Sequence, residues 1–272
     1  MHPLNVRARW AALALAGALI LSTVACGTDD ATNTASVPTA TSSPVPAGSA
    51  SGADALDQAF CDAHLALAIA LSAPPSDEVD VGALAADLQA TAPEELTETV
   101  ATFLEVGERA SEGEDDSLFV SDEFRDPAFV MDEAVAGSCA HAVIDVDAVD
   151  YGFDGMPAAV DPGPTMFKFT NAGSDLHEGI LYRRKDGVVL DPVDVVNADP
   201  SGESGDLEEV GVAFIGSAGD QSYLTTDLEP GSYVLVCYFP KGVKTFDELT
   251  AADKDPEMDH RSAGMIVGFE VA

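Results

Sequence analysis

Between residues 54 and 140, apolar side chains recur three and four positions apart, the period of a helix with one buried face. Leu56, Phe60, Ala63, Leu67 and Leu71 mark a first helix, which Asp54 caps and Pro74-Pro75 ends. Asp80 caps a second with Leu84 and Leu88 on its apolar side. Pro93 suits the first position of a third, whose face is Leu96, Val100, Phe103, Leu104 and Val106. Gly113 and the acidic run Glu114-Asp115-Asp116 mark a loop. A last helix starts at Asp126-Pro127 and runs through Phe129, Val130, Ala134 and Val135 towards Cys139.

After Cys139 the period changes to two. Val143 to Val149 mixes apolar and acidic residues in a strand-like run, and Tyr151-Gly152-Phe153 continues that strand. Further strands are predicted at Thr165–Thr170, Gly179–Arg184, Val210–Ile215, Gln221–Thr226, Ser232–Cys237 and Ala263–Val271, with Glu229-Pro230-Gly231 as a turn. Short strands with frequent turns predict a β-sandwich over residues 141–272. The insert from Asp186 to Asp206 reads as loop with one helical turn.

The first 53 residues follow neither pattern. Arg7 and Arg9 precede an apolar run from Trp10 to Leu21, short for a membrane span and fitting a signal-peptide core. Thr23-Val24-Ala25-Cys26, followed by Gly27, resembles a bacterial lipobox, which implies lipidation (a palmitate-type anchor) on Cys26 and attachment to the outer side of the cell membrane. Residues 27–53 are Thr, Ser, Ala, Pro and Gly with no apolar period, so they cannot bury enough surface to order themselves. They read as a disordered tether spanning roughly 30 Å.

Charge narrows the function. Lys and Arg number 12 against 48 Asp and Glu, a net charge of −36, which excludes nucleic-acid binding through a basic surface. No Gly-x-Ser-x-Gly, phosphate loop or zinc-protease motif is present, and no two of the 5 histidines are adjacent. No enzyme is expected.

The chemistry-bearing residues lie late in the chain. An apolar strand delivers Cys237, His260 follows, and Met265 stands five residues further on; His177 lies upstream, after the turn Asn171-Ala172-Gly173. One thiolate and two imidazoles are strong copper ligands, and a thioether is the weak axial one. This order resembles the cupredoxin family of plastocyanin-like domains. The resemblance covers residues 141–272 and implies His177, Cys237 and His260 as equatorial ligands and Met265 as axial ligand of a copper ion. The chain departs from the family in two places. Residues 238–259 separate the cysteine from the second histidine, and Glu178 stands where the family often has asparagine. As an ionised carboxylate, Glu178 could not donate a hydrogen bond.

The expected protein is therefore mixed α and β in separate domains: a helical domain at 54–140, then a cupredoxin-like Greek-key β-sandwich. The expected function is electron transfer by a tethered copper protein with an unidentified redox partner. Copper binding, buffering or delivery without redox turnover and a metal-free surface-binding or structural lipoprotein are the alternatives. In an exported chain, Cys61 and Cys139 flanking the helical domain suggest a disulfide. Cys61, Cys139 and Cys237 allow three single pairings, of which Cys61–Cys139 leaves Cys237 free for metal. His64 and His141 read as structural or exposed.

Overall fold

The computed structural model describes residues 56–74, 76, 78–112, 116–199, 205–251 and 258–272. The targeting segment, the tether, Cys26 and Asp54 lie outside the described residues.

Among the described residues four helices come first. Helix α1 (Gln58–Ser72) is capped by Asp57, whose carboxylate accepts from Ala59 N at 3.1 Å. Asp80 caps α2 (Val81–Thr91) by accepting from Ala83 N at 3.0 Å. Pro93 opens a 3-10 turn, Glu94–Leu96, that leads into α3 (Thr97–Glu112). Helix α4 (Asp122–Ser138) begins one turn before the expected Asp126-Pro127, so Pro127 lies inside it. The reason is tertiary. Phe124 in that first turn packs its ring 5.1 Å from Phe103 and 5.5 Å from Phe119, which holds the turn on the core. A disulfide joins Cys61 on α1 to Cys139 just past α4, with Cα atoms 5.8 Å apart.

Among the described residues nine strands follow: β1 (Ala142–Val149), β2 (Gly152–Asp154), β3 (Ala159–Val160), β4 (Gly163–Asn171), β5 (His177–Arg184), β6 (Leu207–Ile215), β7 (Gln221–Leu228), β8 (Gly231–Val236) and β9 (Ile266–Val271). They form two mixed sheets, ordered β2-β1-β4-β7 and β3-β9-β8-β5-β6. Within them β1 runs parallel to β4, and β8 runs antiparallel to both β5 and β9. Tyr151 does not continue β1 as expected; with φ 73° it turns the chain back into β2. Two short helices interrupt the strands. Helix α5 (Pro192–Ala198) is capped by Asp191, and α6 (Phe246–Ala251) lies in the 238–259 insertion, where no helix was expected. No helix among the described residues is long and apolar enough to cross a membrane.

The strands are buried on more than one side. Phe167 and Phe169 of β4 face the sandwich interior with Leu181, Leu235 and Phe269. Met166, between them in sequence, points the other way and joins Phe60, Leu67, Leu88 and Phe103 in the helical core. The helices thus cover the outer face of the first sheet. On the second sheet Val234 and Val236 of β8 pack with Val196 of α5, so β8 is also covered on both faces. Each such large apolar side chain contributes about 1.5–3 kcal/mol on burial. A core shared by helices and strands holds the end of the sandwich where β4, β5, β8 and β9 bring the candidate ligands together.

Candidate metal centre

His177 opens β5, Cys237 directly follows β8, and Met265 directly precedes β9. Because β5 and β9 flank β8, all three lie at one end of the second sheet.

The first ligand loop is braced by Asn171 at the end of β4. Its Nδ2 donates to Asp175 O (2.8 Å) and Gly216 O (2.6 Å), and its Oδ1 accepts from Gly173 N (2.9 Å). Gly173 has no space for a side chain: a Cβ there would lie 2.9 Å from Asp150 N and 3.0 Å from His177 Nε2. The backbone must pass that close for His177 to reach inward.

The second histidine returns to the cysteine although residues 238–259 intervene, because the insertion is closed at its neck. Pro240 and Asp259 form a β-bridge, Lys241 N donates to Met258 O (2.9 Å), and His260 N donates to Phe239 O (2.8 Å). The loop is also tied to the first one, since Leu176 N donates to Val243 O (2.7 Å) and Gly242 N to Asp175 Oδ2 (2.7 Å). A 3-10 turn at Arg261–Ala263 and left-handed Gly264 (φ 114°) then close a tight turn. In it Met265 N donates to His260 O at 3.1 Å, while Cys237 N donates to Met265 O at 3.2 Å.

The result is a compact cluster. His177 Nδ1 lies 3.1 Å from His260 Nδ1, which lies 3.4 Å from Cys237 Sγ. The ligand atoms of the three residues fall within 4.8 Å of one another. His177, Cys237, His260 and Met265 are each 0 % exposed. Such a group is close enough for His177, Cys237 and His260 to hold a single metal ion together.

Electrostatics favours a cation here. Carboxylates lie on the far sides of the rings: Asp175 Oδ2 is 3.4 Å from His260 Nε2, and Asp150 Oδ1 is 3.9 Å from His177 Nε2. Neither contact meets hydrogen-bond geometry, but both favour a proton on Nε2. Both Nδ1 lone pairs then face each other and the sulfur, an arrangement that repels itself unless something positive sits between.

Burial sets the protonation states. It is the main cause that pulls His177 down to about 4, with the neighbouring His260 adding to it, and it lowers His260 as well. Both rings are neutral near pH 7 and ready to coordinate. Burial pushes the Cys237 thiol well up, with the Glu178 carboxylate next, while N–H groups of Glu178 and Phe239 oppose this. A bound metal ion would reverse that balance, because a coordinating thiol gives up its proton. Burial also lifts Glu178, to about 8, which favours its protonated form over the ionised one. Its Oε1 accepts from Tyr238 N (3.1 Å), and its own N–H donates to Cys237 Sγ (3.4 Å).

Sequence reasoning passed over the residues around this group. Tyr151 lies edge-on over His260, with centroids 5.3 Å apart and planes at 70°. Asp150 accepts from Ser174 N (2.7 Å), and Asp175 is buried between the two ligand loops. The reversal that brings Tyr151 over the site is made by Tyr151 itself, with φ 73°, where no glycine stands to mark it in the sequence. His64 and His141 stand apart from the cluster. His64 is buried with its Nε2 2.8 Å from Asp132 Oδ1, and His141 is half-buried.

The two-sheet sandwich with a buried His–Cys–His group and a methionine at one end is the arrangement that the cupredoxin resemblance implies. No protein-family model matches the chain, and no curated protein matches it. Among solved structures, the dithionite-reduced auracyanin of the photosynthetic bacterium Roseiflexus castenholzii is 17% identical, covering 49% of this chain and 98% of its own, with TM-score 0.32. Auracyanin A, a "blue" copper protein of the green thermophilic photosynthetic bacterium Chloroflexus aurantiacus, is 16% identical over 49% of this chain and 100% of its own, with TM-score 0.30. A multi-copper oxidase from Pediococcus acidilactici is 9% identical over 50% of this chain and 27% of its own, with TM-score 0.27.

Proposed function

We propose that this chain is a copper-binding one-electron carrier, tethered by a lipid on Cys26 to the outer side of the cell membrane. The observation that supports the copper reading is the inward-facing group of His177 Nδ1, His260 Nδ1 and Cys237 Sγ, buried and short of a positive charge. The donor set favours copper: imidazole suits several metals, but one thiolate with two imidazoles and a nearby thioether matches its two oxidation states. In this reading His177, Cys237 and His260 would hold the ion, with Met265 beside them.

Copper, when bound, supplies a one-electron couple. The protein's own residues keep the site from rearranging. Asn171 and Asp175 fix the His177 loop, the neck at Pro240–Asp259 fixes His260, and backbone N–H groups hold the sulfur. Complete burial of all four side chains keeps water and added ligands away. The same features disfavour copper delivery, which uses these ligands but needs a way for the ion to leave. The redox partner is not identified; the acidic surface steers towards a cationic one.

Titration of the purified chain with Cu(II), followed by absorption, tests the reading. An intense visible thiolate-to-copper band should appear at one equivalent and be lost in Cys237→Ser. A folded protein that stays colourless would overturn it and leave the metal-free alternative. The anchor is tested separately, by mass spectrometry of Cys26 from the membrane fraction.

A further inference from the structure

A second site lies away from the metal centre, between the helices and the sandwich. There a cavity of ≈ 220 Å³ is walled by Leu67, Phe103, Phe124, Phe129, Met131 and Phe214, among others. For comparison, an apolar cavity of about 150 Å³ suffices to hold benzene. The volume and the aromatic walls fit a molecule built on a single ring, which can meet phenyl neighbours edge-to-face or offset.

The walls are not wholly apolar. His64, Asp132 and Ser222 also line the cavity. His64 is 3 % exposed, and its Nε2 lies 2.8 Å from Asp132 Oδ1. A carboxylate only accepts, so Nε2 donates to Asp132, and in the matching neutral tautomer Nδ1 is a bare acceptor. That Nδ1 is buried and has no hydrogen-bond partner. Ser222 Oγ, on the sheet side of the same cavity, is likewise buried and without a partner. Buried polar atoms are nearly always paired, so two unpaired ones on the walls of an apolar cavity point to a missing polar group. Asp132 and the disulfide Cys61–Cys139 both tie α1 to α4, so His64 is held in place before any ligand arrives.

We infer that this cavity binds a phenol-class ligand: one aromatic ring against the phenylalanines, with its hydroxyl donating to His64 Nδ1. An acidic ligand is disfavoured by Asp132, and Arg125, on the same wall, is engaged by Asp220 at 2.9 Å. The cavity also touches the strand system of the metal centre. Phe214, one of its walls, packs its ring 6.0 Å from that of Phe239, two residues beyond Cys237. The inference does not depend on copper.

The test uses the metal-free full chain with two probes, phenol and benzene, which differ by the hydroxyl alone. Binding is read from calorimetry and from the assigned Met131 methyl signal with its contacts to the probe ring. Phenol should bind about tenfold more tightly than benzene, the worth of one well-made buried hydrogen bond. His64→Leu should keep benzene binding and erase the preference. Ala128→Phe, which fills the cavity from α4, should abolish both while the melting temperature holds. No shift at Met131, equal affinity for the two probes, or a preference that survives His64→Leu would each overturn the inference. Should His64→Leu not fold, the phenol-to-benzene ratio in the unaltered chain and the Ala128→Phe result decide it.

Discussion

Glu178 and His177 are adjacent, and burial moves them in opposite directions, up to about 8 and down to about 4. In the metal-free protein the two have opposite consequences. His177 is protonated in the unfolded chain before the folded one as pH falls, so its contribution is complete above about 6.5 and is lost as pH drops towards 4. Glu178 keeps its proton longer in the folded state. Its contribution is complete below 4.5 and is lost as pH rises to about 8. Between pH 6.5 and 8 only the carboxyl effect remains. The melting temperature of metal-free protein should therefore fall across that window, and Glu178→Gln should flatten the fall. At this scale the sequence showed the ligands but not their setting. His177, Cys237, His260 and Met265 were legible through their order and their turns. Tyr151, Asp150 and Asp175 were not, because what matters about them is proximity across separate loops, which leaves no local pattern. The upward push on Glu178 was illegible for the same reason, since burial cannot be seen from its neighbours in the chain.

Among the elements, the 238–259 insertion has the largest bearing on the site. It is anchored at its base by Pro240–Asp259 and Lys241–Met258, and by Val243 to the His177 loop. The rest of the loop adds packing, with Phe246 6.5 Å from Phe214. Replacing residues 245–257 with a short Gly-Ser link should lower the melting temperature by a few degrees. It should leave the copper absorption band in place; loss of the band would show that the neck does not set the ligand geometry. Helix caps at Asp80 and strand periods were readable in advance, whereas α6 was not, because its six residues bury nothing fully and carry little periodic signal. Helix α4 was placed late because Pro127 looked like a first position, while the packing of Phe124 outweighed that preference.

For the molecule as a whole, the bridge between Cys61 and Cys139 closes a loop with sequence separation 78. A chain-entropy account gives such a link about 4 kcal/mol. The double variant Cys61→Ala with Cys139→Ala should lose a stability of that order in denaturant titration, while its copper spectrum is retained, since the bridge lies in the helical layer. A sequence pattern predicts helices first and strands second, but not that the helices lie on the outer face of the first sheet. Met166 and Phe167 are neighbours in one strand serving two different cores, and consecutive apolar residues look the same whether a strand is buried once or twice.

That double burial of β4 decides how the chain can be cut. A fragment starting at residue 141 would expose Met166 and Tyr223 to water, along with the sheet surface the helices cover. Engineers wanting a minimal copper module would have to redesign that face with polar side chains, or else keep the helical half as an obligatory part of it.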